Sequence, residues 1–197
     1  MSCPKCRGKG HILVQGKWRK CECLELNRIS NSLNSSGVCA EFLKQDEAMN
    51  KTRAMSITNQ FIKKLETGKV PKMAPIYFSS HKCEYYAARY IEAAIKYGFS
   101  AQIINLADLT DLYFNREQTQ FSSLFNGPDL VGLRIGTELP NSVAAMILTN
   151  VLRTRRLQGK STFIISTVHT SLFPTRYNAE IATMLRDSKL FVPVEVN

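Results

Sequence analysis

The apolar positions of this chain follow two rhythms that take turns along most of its length. Ile76-Tyr77-Phe78 is a short unbroken apolar run, and residues 84–97 then carry apolar side chains at helical spacing and close on Gly98. The alternation continues with a strand over 101–104, a helix over 106–114, a strand over 129–135, a helix over 141–158, a strand over 161–166, a helix over 177–186 and a last strand over 190–196. Parallel strands need crossovers long enough to hold a helix, and those helices cover both faces of the sheet, so the strands become apolar throughout. The pattern predicts an α/β domain, a parallel sheet flanked by helices.

Upstream the rhythm differs. Residues 24–33 have helical spacing, the phrase "NSSGVCAEF" (34–42) breaks it as a linker, and residues 46–68 return to helix, with Ile57, Phe61, Ile62 and Leu65 as the apolar stripe and Gly68 as the cap. Nearer the start, His11-Ile12-Leu13-Val14 and Lys17-Trp18-Arg19-Lys20 flank Gln15-Gly16, which predicts a hairpin. Three parts result: a small knuckle over 1–28, a helical linker region over 29–70 and the α/β domain over 71–197.

Composition sharpens this picture. A chain of 197 residues, 44% hydrophobic, holds one ordinary domain and a small appendage. It has no run of about 18 apolar residues for a membrane span, and its start, Met-Ser-Cys-Pro-Lys-Cys, lacks the apolar stretch of a secretory leader. A cytoplasmic protein with no membrane partner is expected. Four of the six cysteines crowd into the first 23 residues in pairs, which favours a reducing compartment over a disulfide framework. A formal charge of +10 favours acidic partners, nucleic acid foremost, with a merely solvated basic surface as the plain alternative.

In "CPKCRGKGHILVQGKWRKCEC", Cys3 and Cys6 stand two residues apart and Cys21 and Cys23 one apart, after an excursion of fourteen residues. Zinc takes four thiolates in a tetrahedron; a Cys-x-x-Cys turn supplies two, and a hairpin brings back the second pair. A structural Zn²⁺ on Cys3, Cys6, Cys21 and Cys23 is therefore expected, with redox-active pairs as the alternative and His11 as a replacement ligand. So small a module has no apolar core, so metal binding would supply its folding energy. The same hairpin carries Lys17, Arg19 and Lys20 around the single Trp18. Cations beside an aromatic ring suit a nucleic-acid backbone and a stacked base. Equally, Trp18 would pack over the knuckle.

The stretch "PIYFSSHKCEYYAARYIEAAIKYG" (75–98) has the layout of a phosphate-binding strand, loop and helix, yet its loop has no glycine. Together with "YGFSAQIINLADLTDLYF" (97–114), "DLVGLRIGTE" (129–138), "GKSTFIISTV" (159–168), the Cys-Pro-x-Cys opening and the phrase Ser36-Gly37-Val38-Cys39, it resembles the DnaC/DnaI/IstB-like helicase loaders, AAA+ proteins of bacteria and their phages. The resemblance covers nearly the whole chain and implies an AAA+-like P-loop fold.

Its departures concern the ATP chemistry. On the register that the resemblance gives, Cys83 and Glu84 fall where the phosphate-loop Lys and Ser/Thr would stand, with Lys82 one residue off. Leu133 and Arg134 fall on the two Walker B acids that hold Mg²⁺ and polarise water. The sensor asparagine becomes Val168, followed by His169, and the arginine finger becomes Thr183-Met184. The expectation is a non-enzyme with no ATP cofactor on a degenerate AAA+-like scaffold; a shifted loop using Lys82 is the alternative. His81, Lys82 and Cys83 are then surface or packing residues rather than catalytic ones.

The resemblance implies two partners, a replicative DnaB-type helicase and single-stranded nucleic acid, in DNA replication inside a bacterial host cell, with a phage or mobile element as source and any oligomer templated by the helicase. Arg153, Arg155 and Arg156 in "LRTRRLQGK" (152–160) are candidates for phosphate contact, or simply complement the dipole at a helix end. A zinc-ribbon regulator acting on nucleic acid, for instance in transcription, is the alternative function.

Overall fold

A computed structural model describes residues 3–38, 43, 49, 51–138 and 142–196. The hairpin forms as expected: β1 (His11–Val14) pairs antiparallel with β2 (Lys17–Lys20). Gln15 and Gly16 between them take φ of 49° and 76°, the pair of positive angles that matches the twist of a two-residue hairpin. α1 (Glu22–Ser35) begins inside the Cys-x-Cys pair and runs further at both ends than its apolar spacing suggested. α2 (Arg53–Glu66) starts where the Thr52 side chain accepts the N–H of Met55, so the described part of the second linker helix is shorter than 46–68. Residues 39–42, the end of the linker phrase, lie outside the described residues, as do 44–48 and 50.

Five parallel strands make the body: β3 (Ala74–Phe78), β4 (Ala101–Asn105), β5 (Leu130–Ile135), β6 (Ser161–Ser166) and β7 (Phe191–Glu195), in the order β4-β5-β6-β3-β7. Between them run α3 (Cys83–Lys96), α4 (Leu106–Phe114), α5 (Gln118–Asn126), α6 (Ser142–Leu157), α7 (Phe173–Arg176) and α8 (Ala179–Arg186). The inner strands β3 and β6 are buried at every residue, whereas the edge strands β4 and β7 are buried only in part. Both edges are managed. Pro193 sits in β7, which among the described residues has a strand neighbour on one side only. Against β4 lies the end of the α1 segment: Ile103 donates its N–H to the Ser36 carbonyl at 2.8 Å, and Ser36 Oγ donates to the Ala101 carbonyl at 2.7 Å. Gly37 between them has φ of +70°, and a side chain there would meet the Ile103 oxygen at 3.1 Å.

Two features depart from the sequence pattern. α5 was not foreseen, although Phe121, Leu124 and Phe125 have helical spacing. The expected helix over 177–186 is instead α7 and α8, broken at Asn178, whose side chain accepts the N–H of Ile181 as a cap. Buried tyrosines lock the layers together: Tyr77 Oη lies 2.9 Å from Thr58 Oγ1, and Tyr86 Oη 2.8 Å from Thr52 Oγ1, tying α2 to the sheet and to α3. Among the described residues no helix is long and apolar enough to cross a membrane.

Candidate functional site

In an open parallel sheet, ligands bind beyond the carboxyl ends of the strands where the strand order reverses, here beside β3, with β6 on one flank and β7 on the other. The connection from β3 to α3 at that point is four residues, 79–82. A Gly-x-x-x-x-Gly-Lys loop spends about six residues before its lysine, wrapping a phosphate with outward N–H groups. Here the amides turn inward. Lys82 donates its N–H to Ser80 Oγ at 3.2 Å, Cys83 to the Ser80 carbonyl at 3.1 Å, Glu84 to that of His81 at 3.4 Å and Tyr85 to that of Lys82 at 3.1 Å. Ser79 holds the left-handed angle, φ +83°, that glycine ordinarily supplies. Cys83 is buried; loss of hydration, with the Glu84 charge adding to it, pushes its thiol up to about 11, against a reactive nucleophile.

Beside this turn stands an ion pair that the sequence did not reveal. Arg134, at the end of β5, donates from Nε to Glu84 Oε1 and from Nη2 to Glu84 Oε2, each at 2.7 Å. Its Nη1 donates to Asn105 Oδ1 at 2.5 Å, because the β4–β5 register sets Asn105 beside Arg134. The two residues that the sequence register sets against the phosphate-loop hydroxyl and the second Walker B acid thus bind each other, fork to fork. Leu133, which the sequence register sets against the first acid, is fully buried in the core.

A second cluster lies a few residues on. Glu138, 6% exposed, accepts the Gly136 N–H at 2.9 Å, the Tyr177 hydroxyl at 2.7 Å and a looser bond from Arg176 Nε at 3.5 Å; Arg176 also donates to the Gly136 carbonyl at 2.9 Å. The cluster fastens the loop after β5 to α7. Gly136, at φ +100°, lets the chain pass where a side chain would meet Thr167 Oγ1 at 2.5 Å. Val168, expected at the sensor asparagine, donates its N–H to Ser166 Oγ at 3.1 Å, and His169 caps a short 3₁₀ turn by accepting the Ser171 N–H at 3.2 Å. Thr183, expected at the arginine finger, is exposed on α8 and Met184 is half-buried.

The four knuckle cysteines come together as their spacing predicted. All four sulfurs lie within 4.8 Å of one another, with Cys3 to Cys21 at 3.8 Å and Cys6 to Cys23 at 3.3 Å. Tetrahedral Zn–S bonds of about 2.3 Å would set sulfurs about 3.8 Å apart, so the cluster fits such an ion with small adjustments. Donors to sulfur complete it. The Cys23 thiol, then the backbone N–H groups of Gly10 and Gly8, hold Cys6 down at about 6, and the amides of Cys6 and Lys5 lower Cys3. Cys23 is raised, chiefly because it donates to Cys6. His11 is exposed and stands outside the group.

The proposed nucleic-acid residues separate. Lys17, Trp18, Arg19 and Lys20 are all exposed, Trp18 at 71%, opposite the equally open Leu13 in the hairpin register. Trp18 does not pack over the knuckle. Arg153 is exposed and pairs with Glu180, and Arg156 is exposed. Arg155 corrects the expectation. It is fully buried and donates to Thr162 Oγ1 at 2.7 Å and to the carbonyls of Phe125, Pro128, Asp129 and Ser161. Burial lowers its guanidinium to about 10, which leaves it charged at neutral pH but out of reach of any phosphate.

No family model matches the chain, and no curated protein matches it. Solved structures do. DnaI aligns with a TM-score of 0.64 at 17% identity, over 82% of this chain and 95% of that one. The DnaC helicase loader aligns at 0.60 and 16% identity, over 78% and 92%. The five-stranded parallel sheet flanked by helices matches the AAA+ P-loop-like fold. DnaA from Aquifex aeolicus, solved with AMPPCP, aligns at 0.60 and 14% identity over 74% of this chain but 48% of that one. At these identities the likeness shows the fold alone.

Proposed function

We propose that this protein is a non-catalytic helicase-loader-like protein that binds a replicative DnaB-type helicase and single-stranded DNA during DNA replication in the bacterial cytoplasm, and that a phage or mobile element encodes it. The observation that carries the non-catalytic part is the Glu84–Arg134 pair at 2.7 Å on the scaffold that DnaI and the DnaC helicase loader share. In a working site a hydroxyl and an acid would hold Mg²⁺ between them. Here a carboxylate and a guanidinium fill both positions, and the turn between β3 and α3 is four residues, 79–82, shorter than a phosphate-wrapping loop. Fold and interaction surface are retained in this reading, while the nucleotide is dispensed with. The knuckle would hold a structural Zn²⁺ on Cys3, Cys6, Cys21 and Cys23, which would fix the hairpin, and Lys17, Trp18, Arg19 and Lys20 would meet nucleic acid or helicase.

Native mass spectrometry of the zinc-loaded protein with its host's replicative helicase, without nucleotide, tests this. A defined complex with the helicase hexamer is expected. Absence of a complex at micromolar concentrations, together with salt-sensitive binding of nucleic acid by the free protein, would replace this reading with a zinc-ribbon regulator, which the exposed Trp18 and its cations also suit.

A further inference from the structure

The body has a second opening at the other end of the sheet, where the chain enters β3, β6 and β7 and where α6 ends. Two cavities, of about 480 and 790 Å³, meet there and share Arg156, Met184 and Leu190. The pairing of Ala74 with Phe191 brings Lys72 and Lys189, each two residues upstream, to the same lip. Arg156 and Lys160 complete the ring, Lys160 with its ammonium on the carbonyls of Asn126 and Gly127. No carboxylate lines the smaller cavity, and Lys72, Arg156 and Lys189 have no ion-pair partner among the described residues. Between these cations stands Leu157, 88% exposed, above Leu152 and Leu190.

We infer that this groove takes an acidic, amphipathic peptide segment of a partner protein. Cations alone would suit any polyanion, so the apolar share decides. A phosphate backbone laid across the groove would leave Leu157, and the half-buried Met184 and Leu190, without an apolar partner. Bases, for their part, would find no exposed ring to stack on, since the aromatic residue that lines the groove, Phe191, is 7% exposed. A peptide that alternates acids with leucines satisfies both, its carboxylates against Lys72, Lys189 and Arg156 and an apolar side chain on Leu157. The larger cavity adds Glu180, paired with Arg153, and Asp187 to its lining, so the acids of an extended segment belong over the smaller cavity and its apolar side chains run on toward Met184 and Leu190. None of these residues belongs to the zinc knuckle or to the β3–α3 turn, so the inference stands apart from the helicase reading.

Fluorescence polarisation of the full zinc-loaded chain with a fluorescein-labelled peptide, Glu-Asp-Leu-Glu-Asp-Leu-Glu-Asp, tests it at physiological salt. Saturable binding is expected, weakened about tenfold by Lys72→Glu with Lys189→Glu and at least threefold by Leu157→Ser, with Lys51→Glu/Arg53→Glu at the start of α2 without effect. Circular dichroism melts of the variants, which alter exposed side chains, should match the parent. Absence of saturable binding, groove variants that bind as the parent does, or displacement of the peptide by oligothymidylate as readily as by unlabelled peptide would overturn it; the last would assign the groove to nucleic acid.

Discussion

Removing the guanidinium at Arg134 probes what the end of the sheet has become. Arg134→Met deletes two bonds of 2.7 Å to Glu84 and one to Asn105, and strands the Glu84 carboxylate against α3. Breaking a fully buried pair costs about 3–5 kcal/mol because the remaining charge has lost its solvation. The side chains here keep 22% and 18% of their exposure, so water recovers part of that, and about 2–3 kcal/mol is expected. For a chain of this length that lowers Tm by about 5–10 °C. Glu84→Gln keeps the shape and should cost about 1–2 kcal/mol. Urea unfolding by far-UV circular dichroism measures the cycle, since the single tryptophan, Trp18, lies in the exposed hairpin and reports poorly on the body. The double variant should recover about 1.5–2 kcal/mol of coupling. Additive effects within about 0.5 kcal/mol would refute the idea that the pair replaces a metal bridge as a structural clasp. Glu84→Thr with Arg134→Asp, which returns a hydroxyl and an acid, should still bind no ATP by calorimetry, because the turn stays short.

Three further outcomes are expected. Arg155→Met should destabilise the fold by about 3 kcal/mol in urea, since it removes the guanidinium donor from Thr162 and from the carbonyls of Phe125, Pro128, Asp129 and Ser161, whereas Arg156→Met should fall within about 0.5 kcal/mol of the parent. The Asp129 carboxylate accepts the hydroxyl and N–H of Ser100 at 2.6 and 2.9 Å, which lowers its pKa; this stabilisation is present above the unfolded value and lost as pH falls through the lowered folded one, so Asp129→Asn should cost about 1 kcal/mol at pH 7 and progressively less once the pH falls below that lowered value. Chelation, or Cys6→Ser, should release about one equivalent of zinc and collapse the hairpin while the melt of the body is kept, as read by metal analysis and calorimetry.

The sequence by itself determined the layers and the knuckle. Strand and helix periods are local properties, so β3, β4, β5, β6 and β7 stood where the apolar runs put them, and four thiols at fixed spacing could converge only through the hairpin that Gln15-Gly16 allows. The resemblance to AAA+ helicase loaders rested on the same local phrases and on their order, and the fold agrees with it. α5 was legible in Phe121, Leu124 and Phe125 but was masked by the polar residues around them.

Only the tertiary structure decided what the charges do. Arg155 and Arg156 are neighbours in a basic run, yet a helix turns successive side chains about 100° apart, so one lies in the core holding carbonyls and the other faces the groove. Glu84 and Arg134 stand 50 residues apart and meet because β5 ends beside α3; Lys72 and Lys189 meet because β3 and β7 enter the sheet side by side. Spacing along the chain governs backbone geometry. Electrostatic partnership depends on distance through space and on the loss of water, and both are fixed only when the sheet closes.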